Sequence, residues 1–440
     1  MLDFGCLSGK KIAYATLGCK LNFAETSSIA NELKSYGAVK AMEGEKADIC
    51  IVNTCTVTEV ADRKGRQAIH KIIRQHPGAL VVVTGCYAQL RHEDIARIPG
   101  VDIVVGAEFK KQVVPMILEA MGDRQSDNTE YTEDNGDDKL FFPACSKGDR
   151  TRYFLKVQDG CNYFCTYCTI PFARGRSRNG SIADIMRQVR EVEQGGGQEI
   201  VITGVNIGDF GRSTGEHLID LLREMDKAEG IKRFRISSIE PNLLTDEILE
   251  FCAGSRAFMP HFHIPLQSGS DEVLRLMHRK YDTEFFRNKI LKVKQLIPHA
   301  FIGVDVMVGC RGERPELFRQ AYDFIESLPV SQLHVFSYSE RPGTKALNIP
   351  FVVSPQEKHE RSQLLLALSD RKTAGFYRQF LGTVRPVLFE HSRNHHVMNG
   401  FSDNYIRVEA PDDPSMYNTV QMVKLIAYNE KAETVKGVVL

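Results

Sequence analysis

Short apolar runs alternate with amphipathic stretches between residue 11 and about residue 120. Two of the amphipathic stretches, ETSSIANELKSYG (25–37) and EVADRKGRQAIHKIIRQHPG (59–78), have helical spacing, and a capping box from Thr56 to Glu59 opens the second. The apolar runs are short, rich in β-branched residues and apolar on both faces, as buried parallel strands are. They are KIAYATLG (11–18), ADICIVNT (47–54), ALVVVTG (79–85) and VDIVVGA (101–107). This pattern predicts an N-terminal α/β domain with a parallel sheet.

A second series of strand and helix patterns spans residues 151 to about 375. Its helical patterns include SIADIMRQVREVEQGG (181–196) and a long amphipathic stretch over 354–382. The six strand candidates are YFLKVQ (153–158), EIVITGV (199–205), FRISSI (234–239), HFHIPL (261–266), IGVDVMVG (302–309) and LHVFSYS (333–339). About six such units predict an open or partial (β/α)6 barrel, with its active site at the carboxyl ends of the strands.

Beyond about residue 380, apolar and polar residues alternate in four runs, which predicts a small antiparallel β-barrel or sandwich of four or five strands. The runs are TVRPVLFEHS (383–392), NYIRVEA (404–410), TVQMVKLIAYN (419–429) and ETVKGVVL (433–440). Residues 121–140 carry seven acidic and two basic side chains, which predicts a solvated linker. The expected division is an N-terminal domain at 9–120, an acidic linker at 121–146, a barrel domain at 147–375 and a C-terminal β domain at 376–440.

The composition narrows the class of protein. A chain of 440 residues is long enough for two or three domains, and 42% hydrophobic with 25% charged residues is typical of soluble globular proteins. No apolar run is long enough to cross a bilayer, and the N-terminal residues lack the pattern of a signal peptide, so we expect a cytoplasmic protein and no membrane partner. Disulfides are rare in that compartment, so the 11 cysteines favour metal binding or redox chemistry.

Three cysteines follow three predicted strands of the first domain. Cys19 comes after the first strand, Cys55 after the second and Cys86 after the third. Ligands of open α/β sheets bind outside the carboxyl ends of the strands, so these thiols are expected to converge on one site. The alternative is that each is a small buried residue, and the repeated placement makes that alternative less attractive.

A second group of thiols lies in DGCNYFCTYC (159–168), directly after the first strand of the predicted barrel. A structural zinc site wants four ligands, whereas Cys161, Cys165 and Cys168 have no fourth cysteine or histidine nearby. An iron–sulfur cubane is also normally held by four thiolates, so three leave one iron open. An open iron can chelate the amine and carboxylate of S-adenosylmethionine while an electron cleaves its sulfonium bond. The spacing therefore favours a cluster over a structural role.

These motifs resemble those of the radical S-adenosylmethionine methylthiotransferase family. DGCNYFCTYCTIPFARGRSR is similar to the cluster loop of the family, and GCKLN, NTCTVTEVADRKGRQ and TGCYAQ are similar to its N-terminal domain. The C-terminal β unit resembles the TRAM domain, which binds RNA. The resemblance implies two 4Fe-4S clusters, a radical cluster on Cys161, Cys165 and Cys168 and an auxiliary cluster on Cys19, Cys55 and Cys86.

The resemblance also implies a reaction. In the family, a 5′-deoxyadenosyl radical removes hydrogen from an unactivated carbon, the auxiliary cluster delivers sulfur, and a second S-adenosylmethionine gives the methyl group. TLGCKLNFAET is most similar to the branch that acts on N6-threonylcarbamoyladenosine of tRNA, at C2 of the adenosine just 3′ of the anticodon. The implied partners are the anticodon stem-loop and a reductant such as a flavodoxin or ferredoxin.

Other functions remain open at this point. Sister branches of the family act on isopentenyl-adenosine of tRNA or on an aspartate of a ribosomal protein. A non-catalytic iron–sulfur electron carrier and an RNA-binding protein with zinc sites are alternatives of other classes.

Polar residues near the predicted strand ends are candidates for contact with S-adenosylmethionine, because strand ends of such barrels are commonly functional. The candidates are Tyr167, Glu199, Thr203, Glu240, Gln267 and Asp305. Packing alone would also explain Tyr167, and a satisfied core or rim histidine would explain His261 or His263. Cys310 stands where the family usually has phenylalanine, which is consistent either with a small buried residue or with a changed pocket.

Basic residues near both cysteine groups are candidates for RNA phosphate contacts. Arg63, Arg66, His70 and Arg74 share one face of the helix after Cys55, although a merely solvated face would have the same pattern. Arg174 and Arg176, with Arg178, follow the second cysteine group, where they would contact phosphates or form ion pairs at the barrel mouth.

Overall fold

A six-stranded parallel sheet, flanked by helices, forms the N-terminal part of the chain. The computed structural model describes residues 7–122, 129–131, 141–147, 151–392 and 396–440. The strands are β1 (Lys11–Thr16), β2 (Val39–Lys40), β3 (Ile49–Thr54), β4 (Leu80–Gly85), β5 (Ile103–Gly106) and β6 (Thr129–Tyr131). The helices are α1 (Lys20–Ser35), α2 (Glu59–Gln75), α3 (Cys86–Leu90), α4 (His92–Ala96) and α5 (Val113–Gly122), with a 3₁₀ helix at Ala107–Gln112. The order β2-β1-β3-β4-β5-β6 confirms the predicted parallel sheet.

The predicted capping box at the start of α2 is wrong. Thr58 is the N-cap, and its side chain accepts a hydrogen bond from the backbone N–H of Ala61. Thr56 instead donates to Asp62 over 2.7 Å and accepts from Arg341 of the central domain over 2.7 Å. The Thr56 hydroxyl therefore takes part in a contact between domains and does not cap the helix.

Six parallel strands of the central domain form a partial barrel, as predicted. The strands of this domain are β7 (Ala144–Cys145), β8 (Arg152–Lys156), β9 (Gln158–Asp159), β10 (Arg178–Asn179), β11 (Glu199–Thr203), β12 (Arg233–Ile236), β13 (His261–His263), β14 (Phe301–Val308) and β15 (Gln332–Ser337). One sheet has the order β12-β11-β8-β7, with β7 antiparallel, and another has the order β13-β14-β15. A parallel bridge between Ser238 and His263 joins the two sheets.

Helices cover the outer face of the partial barrel, and the large core lies between them and the strands. They are α6 (Ile170–Arg174), α7 (Ile182–Gln194), α8 (Leu218–Asp226), α9 (Asp246–Gly254), α10 (Asp271–Leu276), α11 (Thr283–Leu296), α12 (Pro315–Ser327) and α13 (Pro355–Arg378), with 3₁₀ helices at Ile207–Asp209 and Lys345–Asn348. The other face of β8 and β11 packs against the N-terminal domain, where Ala24 of α1 contacts Phe154 and Val201. The first helix of one domain thus covers the open side of the other.

A closed five-stranded barrel forms the C-terminal domain. Its strands are β16 (Val384–Phe389), β17 (Val397–Ser402), β18 (Arg407–Pro411), β19 (Val420–Asn429) and β20 (Thr434–Val439), with a 3₁₀ helix at Pro414–Met416. The order is β16-β17-β18-β20-β19, and β18 and β20 pair in parallel, so the expectation of purely antiparallel pairing was wrong for that pair. Tyr405 of this barrel packs on His261, with ring centroids 4.1 Å apart, so His261 is a core histidine at a domain contact.

The segment expected to be an acidic linker lies partly outside the described residues, at 123–128 and 132–140. Its described parts pair with both domains, since β6 extends the N-terminal sheet and β7 extends the barrel sheet. The bounds of the four expected segments stay predictions. Within the described ranges, no helix is both long enough and apolar enough to span a membrane.

Candidate cofactor and substrate site

The first cysteine triplet lies at the carboxyl ends of three adjacent strands. Cys19 is the exposed N-cap residue of α1, Cys55 directly follows β3, and Cys86 is the first residue of α3 directly after β4. A Cβ atom on Gly18 would lie 2.8 Å from the Cβ of Cys55 and 3.0 Å from its Sγ, so the loop carrying Cys19 packs directly on Cys55. The three residues therefore lie at one edge of the sheet, and their shared role as cluster ligands stays a prediction.

Gly85 allows the chain to turn from β4 into the helix that begins with Cys86. Its φ of +105° is in the left-handed region, and a Cβ there would lie 2.4 Å from the carbonyl oxygen of Thr54. Any larger residue would push the Cys86 turn away from the end of β3. The position of the third thiol thus depends on a glycine.

The second triplet lies in a loop closed at its base by the antiparallel pair β9 and β10. The backbone N–H of Cys161 donates to the carbonyl of Gly175 over 3.1 Å, and that of Cys168 donates to the carbonyl of Cys165 over 3.0 Å. A Cβ on Gly160 would lie 2.1 Å from the carbonyl oxygen of Arg176, so only glycine fits before Cys161. The three thiols are held on a short, internally bonded loop.

Burial disfavours the thiolate form at both triplets. It raises the pKa of Cys55 and of Cys161 to about 11 and that of Cys168 to about 12. The neighbouring thiols of the same triplet raise these pKa values further, which places the members of each triplet within electrostatic range. At neutral pH these thiols are neutral unless a bound cation stabilises the thiolates.

The number of thiols in each triplet bears on the kind of metal centre. Among the residues that the structure describes, no three histidine, cysteine, aspartate or glutamate side chains are placed to hold one ion. A structural zinc site needs four ligands, whereas three thiolates of a cubane bind three different irons and leave the fourth open. The donor sets fit an iron–sulfur cluster better than zinc.

A cluster of buried charges, which we name the interdomain ion cluster, adjoins Cys86. It consists of Glu25 and Lys110 from the N-terminal domain and Lys156, Asp159 and Arg174 from the central domain, all at most 2% exposed. Lys156 donates to Glu25 over 2.8 Å and to Asp159 over 2.6 Å, and Lys110 donates to Glu25. Burial alone would raise the pKa of Glu25, but Arg174, Lys110 and Lys156 hold that pKa well below its usual value.

A second buried arginine adjoins the other triplet. Arg279 donates to the Sγ of Cys165 over 3.3 Å, to the hydroxyl of Tyr281 over 3.0 Å and to the carboxylate of Glu240. Its side chain is 3% exposed. Glu240 also acts to raise the pKa of Cys161, so this predicted cofactor residue lies beside the second triplet.

The structure places the other predicted cofactor residues at different depths. Thr203 ends β11 and is 4% exposed, and Gln267 follows β13 with a φ of +69°. Asp305 lies within β14, and its carboxylate accepts a hydrogen bond from Nε2 of His263 over 2.6 Å. Tyr167 packs in an apolar cluster that includes Cys310, so Cys310 is a buried residue beside the cysteine loop.

The structure corrects the prediction that Glu199 contacts the cofactor. It opens β11, at the amino end rather than the carboxyl end of the strand, and is fully buried. Its carboxylate accepts from Nε of Arg235 over 3.0 Å, and Arg235 donates onward to the carbonyls of Ser402 and Asp403 in the C-terminal barrel. Glu199 therefore supports the contact between two domains and does not face the cysteine triplets.

Asn206 is a buried polar residue that is suited to binding a ligand. It follows β11, is 3% exposed, and neither polar atom of its side chain has a hydrogen-bond partner among the described residues. Its backbone N–H donates to Oε1 of Gln158, whose amide also donates to the carbonyl of Gly160, next to Cys161. A buried amide without partners, tied to the cysteine loop, fits a polar cofactor at this end of the barrel.

The candidate RNA contacts divide into two groups. Arg63, Arg66, His70 and Arg74 on α2 are exposed, and so is Arg176 after the second triplet. Arg174 is 2% exposed and uses all its N–H groups inside the protein, so the expectation that it contacts RNA was wrong. Arg178 is mostly buried and pairs with Asp159 over 3.3 Å.

Sequence reasoning missed several residues at the site. Glu25 and Lys110 gave no local signal, because they pair with each other across 85 residues, and the pair of Arg279 with Glu240 spans 39 residues. Asp159, two positions before Cys161 and three after Lys156, was the nearest available hint.

Comparison with known proteins adds family relationships. Residues 11–106 match the model described as Uncharacterized protein family UPF0004, and residues 155–325 match the Radical SAM superfamily. Threonylcarbamoyladenosine tRNA methylthiotransferase MtaB of Bacillus subtilis (strain 168) is 38% identical over 431 residues, covering 95% of both chains. The enzyme of the same name from Aquifex aeolicus (strain VF5) is 36% identical and covers 91% of this chain and 96% of its own.

More distant matches have other names. The tRNA-2-methylthio-N(6)-dimethylallyladenosine synthase of Carboxydothermus hydrogenoformans is 30% identical, covering 87% of this chain and 89% of its own. Among solved structures, the radical S-adenosylmethionine methyltransferase TsrM of Kitasatospora setae superimposes with a TM-score of 0.58 at 14% identity, covering 77% of this chain and 74% of that one. This structural likeness concerns the fold alone.

Proposed function

Because the chain belongs to the radical S-adenosylmethionine family of tRNA methylthiotransferases, we propose that it converts N6-threonylcarbamoyladenosine next to the anticodon of tRNA to the 2-methylthio form. The observation that carries this proposal is the 38% identity with a threonylcarbamoyladenosine tRNA methylthiotransferase along 95% of both chains. The isopentenyl branch is the second candidate, since a dimethylallyladenosine synthase is 30% identical. The greater identity favours the first substrate.

The enzyme uses S-adenosylmethionine and 4Fe-4S clusters. We assign the radical cluster to Cys161, Cys165 and Cys168 and the auxiliary cluster to Cys19, Cys55 and Cys86. When bound, these groups supply an electron and a radical for hydrogen abstraction at C2, and the sulfur and methyl that replace the hydrogen. The separate placement of the two triplets on two domains in contact supports this division of tasks.

The protein's own residues position and shield the reactants. Asn206 offers a buried amide to S-adenosylmethionine near the cysteine loop, and Thr203, Glu240, Gln267 and Asp305 stay candidates for the same pocket. Glu240 is fixed by Arg279, which limits its freedom to move. The covering of the barrel by α1 keeps bulk water from the inner face of β8 and β11, which protects reactive species from side reactions.

Two further elements complete the proposal. A one-electron reductant, such as a flavodoxin or ferredoxin, is the partner that the chemistry requires. The cytoplasm is the compartment in which tRNA and such a reductant meet.

Metal analysis tests the class of protein. After anaerobic reconstitution, the full chain should hold about eight irons and about eight sulfides, as two 4Fe-4S clusters require. Reduction in the presence of S-adenosylmethionine should then yield 5′-deoxyadenosine. Zinc without sulfide would contradict the proposal, and clusters without cleavage of S-adenosylmethionine would indicate an electron carrier instead.

The exposed basic face of α2 is proposed as a tRNA contact. Replacing Arg63 and Arg74 with glutamate should weaken tRNA binding about tenfold or more and reduce its salt dependence, because fewer phosphates are neutralised. Filter binding at several salt concentrations measures both effects. A double charge reversal of Arg319 and Arg371, exposed on α12 and α13, is the matched control and should leave the affinity nearly unchanged. Equal losses in both variants would contradict a specific contact by α2.

A further inference from the structure

Each cysteine triplet has one buried arginine that donates an N–H to a cysteine sulfur. Arg174 donates through Nε to the Sγ of Cys86 over 3.2 Å, and Arg279 donates through a terminal nitrogen to the Sγ of Cys165 over 3.3 Å. Both side chains are at most 3% exposed. Burying a guanidinium is costly, so its presence beside a thiol in both places calls for a function.

The orientation of Arg174 is fixed on every side. One terminal nitrogen donates to Glu25 and to Asp159, each over 3.0 Å, and the other donates to Asn22 over 2.6 Å and to Glu25 over 3.3 Å. With all five N–H groups engaged, the Nε–H can only point at Cys86. Arg174 ends α6 of the central domain, so this bond crosses the domain contact.

The charges around Arg174 do not balance within the protein. The interdomain ion cluster contains three cations, Lys110, Lys156 and Arg174, and two carboxylates, Glu25 and Asp159. Arg178 at the edge of the cluster also pairs with Asp159 over 3.3 Å, so cations outnumber carboxylates in this buried region. The excess suits a negatively charged group carried by Cys86.

Arg279 is fixed in a similar way on the other side. Its Nε–H donates to Tyr281, whose hydroxyl donates to the carbonyl of Pro265 over 2.6 Å, and its remaining terminal nitrogen pairs with Glu240. The residue follows α10 and so reaches the cysteine loop from a different element. Arg279 is thus held by three side-chain hydrogen bonds, to partners separate from those of Arg174.

We propose that Arg174 and Arg279 are positioning residues that set the reduction potential of the two iron–sulfur clusters, Arg174 for the cluster on the Cys86 triplet and Arg279 for the cluster on the Cys165 triplet. This inference rests on the cluster assignment proposed above. Hydrogen bonds to cluster sulfurs and nearby positive charge stabilise the reduced, more negative state, which raises the potential. Since each arginine has its own triplet, the two potentials can be set independently.

Arg174 has a second consequence for the site. It donates both to Cys86 and to Asp159, and Asp159 lies two residues before Cys161. The same guanidinium therefore connects a ligand of one cluster to the base of the loop that holds the other. It keeps the two triplets in a fixed relation across the domain contact.

Potentiometric titration followed by electron paramagnetic resonance tests the proposal. The full chain is reconstituted in two parent forms, each with the three cysteines of the other triplet replaced by alanine, so that one cluster is measured at a time. Each parent carries Arg174→Gln, Arg174→Lys, Arg279→Gln or the control Arg176→Gln, which removes an exposed arginine from the same loop.

Arg174→Gln should lower the midpoint potential of the Cys86-triplet cluster only. The expected fall is about 59 mV for a one-electron couple, which lowers the ratio of reduced to oxidised cluster about tenfold at the parent midpoint. Arg279→Gln should do the same for the other cluster only. Arg174→Lys keeps the charge and should cause a smaller fall, and it carries the test if Arg174→Gln does not fold.

The outcomes separate this inference from the cluster assignment. Unmoved midpoints in fully loaded variants, or equal shifts of both clusters with either substitution, would overturn the roles of the two arginines alone. Parent forms that bind no iron and sulfide would overturn the assignment of the triplets and this inference with it.

Discussion

Replacing Cys19, Cys55 or Cys86 with alanine should reduce methylthio transfer to below detection while leaving cleavage of S-adenosylmethionine intact. The reason is that the two triplets lie on different domains, with Cys161, Cys165 and Cys168 on a loop bonded within itself. Under the proposed assignment, each change removes a ligand of the sulfur source and none of the radical source. Liquid chromatography of 5′-deoxyadenosine and mass spectrometry of tRNA nucleosides from one reaction measure both activities.

Cys50→Ala is the matched control for this experiment. Cys50 is fully buried within β3, five residues before Cys55, and belongs to an apolar core rather than to either triplet. Its replacement should leave both activities close to those of the parent enzyme. Methylthio transfer that survives in Cys86→Ala would refute the assignment of the auxiliary triplet.

Glu25→Gln should strongly destabilise the protein. Glu25 is 0% exposed and accepts from Lys110, Lys156 and Arg174, so its neutralisation leaves buried cations without a counter-charge. Breaking a buried ion pair from one side costs about 3–5 kcal/mol. Thermal unfolding of the cluster-free chain, followed by circular dichroism, should show a clearly lower midpoint.

Glu32→Gln provides the comparison on the same helix. Glu32 is exposed, and its replacement should change stability by less than about 0.5 kcal/mol. If both variants of α1 unfold at the same temperature as the parent, then the interdomain ion cluster does not contribute to stability as described. A small shift for Glu25→Gln alone would show that water reaches these charges.

The sequence predicted those parts of the molecule that depend on local pattern. Runs such as ALVVVTG identify a buried strand without knowledge of the rest of the chain, and parallel topology then places the residues after neighbouring strands at one edge. For that reason Cys19, Cys55 and Cys86 could be grouped before any coordinates were known. Cys161, Cys165 and Cys168 could be grouped from their spacing alone, because they lie in a single loop.

The predictions that failed concerned residues whose contacts are made with distant parts of the chain. The partners of Glu25 are 85, 131 and 149 residues away, so no window of sequence contains the interdomain ion cluster. Arg174 was misassigned to RNA because the sequence gives its distance from the cysteines along the chain but not its burial. Glu199 was misassigned because the carbonyl groups that its partner Arg235 binds belong to the C-terminal barrel.

The nucleosides of cellular tRNA test the central claim most directly. The full chain is expressed in a bacterial host whose tRNA carries N6-threonylcarbamoyladenosine but lacks its methylthio form, with Cys86→Ala as the inactive control. Mass spectrometry should detect 2-methylthio-N6-threonylcarbamoyladenosine with the parent chain and not with the variant. Absence of that nucleoside, or methylthiolation of isopentenyl-adenosine in its place, would contradict the account.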